Sequence, residues 1–249
     1  MSAKDLKIAF FCNHPLPGKR EFLGVPRLDG ALGGGLRRGA LHEVFAVPSH
    51  EAAAAGFVAG LAVRLGGPLL WIRQDYAGLE FGELAATGLF EFGLDPARLL
   101  LLRVPDVAAA LKAAADALCC AALGAVVIEL AGPSRLLDLT AYRRLSLAAG
   151  TSGVTALLLR LAAEPGAGGA ETRWLVRAAP SGDWAGDDDD WGRPVFAVDL
   201  QRNRHGPAGH WIVEWSCDDG VFRPADCGAV VSASGDRSFA PAMVQVSAA

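Results

Sequence analysis

Phosphate chemistry needs backbone N–H groups wrapped around an anion, a lysine on the outer phosphates and a hydroxyl on magnesium. One stretch of this 249-residue chain has the layout for it: residues 28–64, LDGALGGGLRRGALHEVFAVPSHEAAAAGFVAGLAVR. It reads as a glycine-rich turn, a short apolar strand over 41–47, a tight connection and an alanine-rich helix over 50–65. That is the order of a phosphate-binding strand–loop–helix unit. The ligands themselves are missing. G-x-x-x-x-G-K-[ST] would be required, and the connection reads Ala46-Val47-Pro48-Ser49-His50-Glu51-Ala52-Ala53. Glu51, Ala52 and Ala53 stand where glycine, lysine and hydroxyl belong. Ala52 supplies no cation and Ala53 cannot hold a metal. A carboxylate at Glu51 about 4 Å from a phosphate would repel it by roughly 4 kcal/mol near a protein surface.

Two further carboxylates belong to this reading. Asp75 follows an apolar run at 68–73, and Glu129 closes one at 124–130. They are relics of a nucleotide site, or simply capping and solvated groups. No cofactor is expected, and ATP turnover is not expected.

A second constellation could bind rather than react. Arg160 precedes a glycine-rich loop at 162–170, and Arg173, Trp174 and Arg177 follow it. Arginines for phosphates with an aromatic for base stacking is the chemistry of single-stranded nucleic acid binding. The loop carries no lysine or arginine and contains Glu164, so solvated arginines on an edge strand remain an alternative. Arg202, Arg204 and His205 form a third group, in a turn shaped by Gly206-Pro207. They suit DNA, a protein carboxylate, or water.

Other chemistries find little support. The five histidines show no metal-ligand spacing. Ser134, Ser146 and Ser152 lack the glycine pattern of a nucleophile elbow. The five cysteines form no C-x-x-C pair and are odd in number, which reads as thiols in a reducing compartment.

The elements that must position these groups alternate. Apolar runs at 41–47, 68–73, 99–103, 124–130 and 154–160 are separated by helical stretches, including 79–86, 106–122 (with Asp106 as N-cap) and one starting at Ser134. All five runs read as buried strands. That predicts an α/β fold with a mostly parallel sheet and helices on both faces. After 170 the pattern changes to strands at 172–179, 194–201 and 209–215, read as an antiparallel meander on the sheet edge. The run Asp187 to Asp190 reads as a solvated loop. Residues 1–27 read as an irregular arm and 217–249 as an irregular tail. Phe10, Phe11, Phe22, Val221 and Phe222 have no evident place in the core.

Bulk properties set the outer bounds. A hydrophobic share of 52% excludes a mostly disordered chain, and a net charge of −4 gives no overall basic field for nucleic acid. The most apolar segments are interrupted by Arg64, Lys112 and Asp116, short of the roughly 20 residues of a spanning helix. No leader sequence is evident, so a cytoplasmic location and no membrane partner are expected.

From residue 28 onward the chain resembles the RecA-like core. The segment Leu28-Asp29 … Leu32-Gly33-Gly34-Gly35-Leu36 … Gly39 is similar to the lead-in to the phosphate loop of recombinases. Gln201-Arg202-Asn203-Arg204-His205-Gly206-Pro207 is similar to the basic turn of replicative helicases. Over about residues 25–225 the combination with a degenerate loop resembles ImuA, a family of bacterial inducible-mutagenesis accessory proteins. That resemblance implies a RecA-like domain over 28–216 that does not hydrolyse ATP and acts in SOS-induced translesion DNA synthesis. Its partners would be an ImuB-like, Y-family-related protein and an error-prone C-family DNA polymerase, with RecA and single-stranded DNA as further candidates. Two alternatives stay open. One is a RecA-like, DNA-dependent ATPase using Glu129 and Asp75. The other is an inhibitor of cell division resembling SulA.

Overall fold

The computed structural model describes residues 18–181 and 192–225. Phe10, Phe11 and the run Asp187 to Asp190 lie outside them. The chain starts with a two-residue strand β1 (Arg20–Glu21), a short helix α1 (Pro26–Ala31) opened by its proline, and β2 (Leu36–Arg37), which pairs with β1. Then come β3 (Leu41–Ala46), the long helix α2 (Glu51–Leu65), β4 (Leu69–Gln74) and the short helices α3 (Asp75–Phe81) and α4 (Ala86–Glu91). The single helix expected at 79–86 is thus two, broken at Gly82, whose φ of +80° ends the first. β5 (Leu99–Val104), α5 (Val107–Ala117), β6 (Ala125–Ala131), α6 (Leu139–Ser152) and β7 (Thr155–Leu161) follow. Asp106 caps α5 by accepting from Ala109 N–H, as expected. The next helix starts at Leu139 rather than Ser134, because Asp138 caps it through Ala141 N–H.

β8 (Thr172–Ala178), β9 (Val195–Asn203), β10 (Gly209–Ser216) and β11 (Val221–Pro224) complete a nine-stranded sheet of order β11-β10-β9-β8-β3-β7-β6-β4-β5. Strands β3 to β8 run parallel, and β9, β10 and β11 join antiparallel. This mostly parallel, helix-flanked sheet is the α/β architecture the sequence predicts, and it is consistent with a RecA-like fold.

Alternating side chains feed two cores. Val44, Trp71, Val127 and Leu159 point to one face, against α2 and Trp174, Trp215 and Phe222. Ile72, Val126, Ile128 and Leu158 point to the other, against α5 and α6. α2 carries no side chain at Gly60, where a Cβ would stand 2.6 Å from the Phe222 ring and 3.1 Å from Trp215. That glycine lets two large rings lie directly on the helix.

Three expectations are corrected. β8 is not an exposed edge: it sits inside the sheet, parallel to β3 and antiparallel to β9, because its Thr172, Trp174 and Val176 face the core. Residues beyond 217 are not irregular throughout. β11 pairs with β10, and Phe222 is fully buried against Phe57 and Trp215. The run 99–103 is not a buried strand. β5 pairs only with β4 among the described residues and exposes Leu100 (59%), Leu101 (44%) and Leu102 (38%). The described part of the N-terminal arm lies on the domain, with Leu23 and Val25 buried and Phe22 exposed.

Candidate functional site

The connection between β3 and α2 is held by local bonds, among them His50 N–H to the Val47 carbonyl at 2.9 Å. Ser49 takes a left-handed φ of +67°, unusual for a residue with a Cβ. The Glu51 carboxylate accepts from Ser49 N–H at 3.2 Å, satisfying a donor that a phosphate loop would turn toward its anion. His50 Nδ1 accepts from Ala178 N–H at 3.2 Å, tying the loop to the end of β8. Ala46 is buried at the end of β3. Ala52 and Ala53 face a cleft of about 380 Å³, walled by Gly56, Phe92, Ser181 and Phe196. The cation at its rim, Arg193, is held by Glu214 at 3.2 Å and Asp218 at 3.7 Å.

The two outlying carboxylates are engaged elsewhere. Glu129 is buried in β6, where Trp71 Nε1 donates to one oxygen and Arg73 Nε to the other, both at 2.8 Å. Burial holds its carboxyl above the ordinary range, with the Arg73 charge and the Trp71 hydrogen bond opposing. Arg73 itself is saturated: it donates to the Ala77 and Gly82 carbonyls and pairs with Glu83. Asp75 opens α3 and is paired with Arg103 at 3.1 Å.

The arginine constellation divides. Arg160 on β7 and Arg173 on β8 converge on Glu43 of β3, with Arg173 Nε at 2.9 Å and Arg160 Nη1 at 4.0 Å. Their guanidinium carbons stand 5.7 and 5.5 Å from the Phe45 ring centroid, and the Tyr142 hydroxyl donates to Glu43. Burial and the Glu43 charge push that hydroxyl above its ordinary range, so it stays protonated. Two buried guanidinium nitrogens, Arg160 Nε and Arg173 Nη2, have no hydrogen-bond partner. Such an unmade bond costs about 1–3 kcal/mol.

Trp174 is not a stacking platform. It is fully buried, and its Nε1 donates to Thr172 Oγ1 at 2.8 Å. That hydroxyl lies 2.7 Å from His42 Nδ1, and His42 Nε2 is 2.8 Å from the Arg37 carbonyl. The carbonyl can only accept, so Nε2 carries the proton and Nδ1 accepts from Thr172. Burial lowers the His42 pKa to about 4, and the ring stays neutral near pH 7. Arg177 is exposed and pairs with Asp199 at 3.8 Å.

The basic turn folds back on the lead-in. Asn203 Nδ2 donates to the Ala31 carbonyl at 2.8 Å, and a Cβ on Gly206 would stand 2.2 Å from that same oxygen. His205 pairs with Glu171 at 3.2 Å, beside Arg37. Arg202 and Arg204 donate to the carbonyls of Gly168 and Gly169. The two stretches that carry the family resemblance therefore touch, and the turn clamps the glycine-rich loop. Glu43, His42, Tyr142 and Arg73 complete these networks without any motif to mark them. The signal was present: a histidine and a glutamate inside the otherwise apolar strand LHEVFA.

No family model matches the chain. It is similar to Protein ImuA of Caulobacter vibrioides strain NA1000, at 35% identity over 209 residues, covering 77% of this chain and 81% of that protein. Protein ImuA of strain CB 15 of the same organism gives the same figures.

Proposed function

The chain belongs to the ImuA family, and from that premise we propose that it is a non-catalytic accessory protein of damage-induced translesion DNA synthesis. It works by holding an ImuB-like partner and, through it, an error-prone C-family polymerase. RecA is a further partner that this role allows.

The observation that carries a binding role is β5. An edge strand presents unpaired N–H and C=O groups, and soluble proteins cover or charge such edges. Here the edge displays Leu100, Leu101 and Leu102 on both faces, with Arg103 at its end paired to Asp75 and Glu83. Those pairs set α3, with exposed Tyr76 and Leu79, beside the end of β5. The surface suits an extended apolar segment that adds a strand and buries its side chains among the leucines. We assign that segment to the ImuB-like partner. The chemistry at residues 47–53 supports the same reading, since the Glu51 carboxylate takes the Ser49 N–H and the cation at the rim, Arg193, is already paired with Glu214 and Asp218.

The test has two arms. ATP with Mg²⁺ is expected to give no saturable thermal shift of the purified chain, and a saturable shift would overturn the non-catalytic reading. Removal of residues 1–17 is expected to leave partner binding intact. Its loss would transfer the interface from β5 to that segment. A dimer that dissociates on Leu101→Arg would instead make a second copy the occupant.

A further inference from the structure

The β7 exit carries a cavity that the partner reading does not use. It encloses about 450 Å³ and is walled by Pro133, Ser134, Tyr142, Arg160, Glu164 and Ala167. Two walls come from segments leaving the carboxyl ends of neighbouring strands β6 and β7, where ligands of parallel sheets characteristically sit. Ala162, in the β7 exit, holds a left-handed φ of +46°, a conformation that L-residues adopt under constraint. Arg160 is more than nine-tenths buried, its Nη2 donates to the Gly132 carbonyl at 3.2 Å, and its Nε has no partner. One carboxylate, Glu43, faces two guanidinium groups, and Tyr142 remains neutral beside them. The buried cluster therefore keeps one net positive charge, with Glu164 exposed at the rim as the opposing group.

We propose that this cavity is an anion pocket for a phosphate group, built on Arg160 beneath the glycine-rich loop. The phosphate supplies the acceptor that Arg160 Nε lacks, and Ser134, whose Oγ accepts from Leu136 N–H, has its hydroxyl proton left to donate. The loop carbonyls of Gly168 and Gly169 accept from Arg202 and Arg204, which ties this end of the loop to the basic turn. The phosphate comes from a single-stranded nucleic acid backbone or from a free small anion.

Both sources are tested on the full chain. Inorganic phosphate is titrated by phosphorus NMR, and a labelled oligothymidylate by fluorescence anisotropy. At least one probe is expected to bind saturably. Arg160→Gln is expected to weaken it about tenfold. Ala167→Glu alters an exposed wall residue outside both cores, places a carboxylate in the cavity, and is expected to weaken it as much. Glu164→Gln is expected to tighten it about threefold. Oligonucleotide binding that Ala167→Glu weakens assigns the site to a nucleic acid backbone, and phosphate binding alone assigns it to a free anion. Failure of both probes, or an Ala167→Glu variant that binds as the wild type does, overturns the proposal. Leu101→Arg is expected to leave phosphate binding unchanged, so this site and the β5 surface fail separately.

Discussion

The two edges of the sheet are finished in opposite ways. β11 has four residues and ends in Arg223 and Pro224. Its Phe222 N–H donates outward to the Leu23 carbonyl at 2.9 Å, and Arg64 bonds both Phe22 and Gly220 across the same margin. The N-terminal segment seals that edge, and the Phe222 ring plugs it from below. β5 has six residues, and three exposed leucines lie along it. Exposed apolar edges attract unwanted strands, and proteins blunt them with short strands, proline and charge. The chain applies those devices at β11, whereas β5 has only Arg103, near its end, beside three exposed leucines. The difference marks β11 as a structural margin and leaves β5 as the surface to which the proposed function assigns the partner.

Substitutions can break that contrast. At the sealed edge the largest effect is expected from Phe222→Ala, which empties a space lined by Phe57, Phe196 and Trp215. A loss of about 3–5 kcal/mol in urea unfolding is expected. A loss below about 1 kcal/mol would mean that β11 is not integral to the domain. Two strands in from the bare edge, Glu129→Ala leaves Arg73 buried without its main partner and should cost about 3–5 kcal/mol. If stability held while ATP turnover vanished, Glu129 would be catalytic after all.

A smaller effect follows from His42. The unfolded histidine takes up a proton near pH 6.5, whereas the folded ring stays neutral down to about 4. Between these values the unfolded state binds more protons, so stability falls as pH falls from 6.5 to 4. This group contributes on the order of 3 kcal/mol of that fall. The difference in pH slope between wild type and His42→Gln, measured by thermal melts, isolates it. Parallel slopes would show that the ring is not buried neutral. The smallest stability change is expected at the bare edge itself, where Leu101→Arg should shift unfolding by less than about 0.5 kcal/mol.

Much of this was legible in the chain. Short apolar runs separated by alanine-rich helices announced the parallel sheet, and Asp106 announced the start of α5. The absent lysine and hydroxyl at Ala52 and Ala53 announced what the loop lacks. Edge position was not legible. LLLLR at 99–103 and GAVVIEL at 124–130 are equally apolar, and only pairing order separates an exposed strand from a central one. Trp174 misled for a related reason. Flanking arginines suggested a solvated strand, but β8 lies between β3 and β9, so alternate residues must face the core. Long-range ion pairs such as Glu43 with Arg173, 130 positions apart, leave no local periodicity to read.

The central claim is that β5 holds the partner. The direct measurement is the affinity of the purified ImuB-like protein for the wild-type chain and for Leu101→Arg. The account predicts at least a tenfold loss, equivalent to about 1.4 kcal/mol, with the melting temperature unchanged. Equal affinities for the two proteins would contradict it.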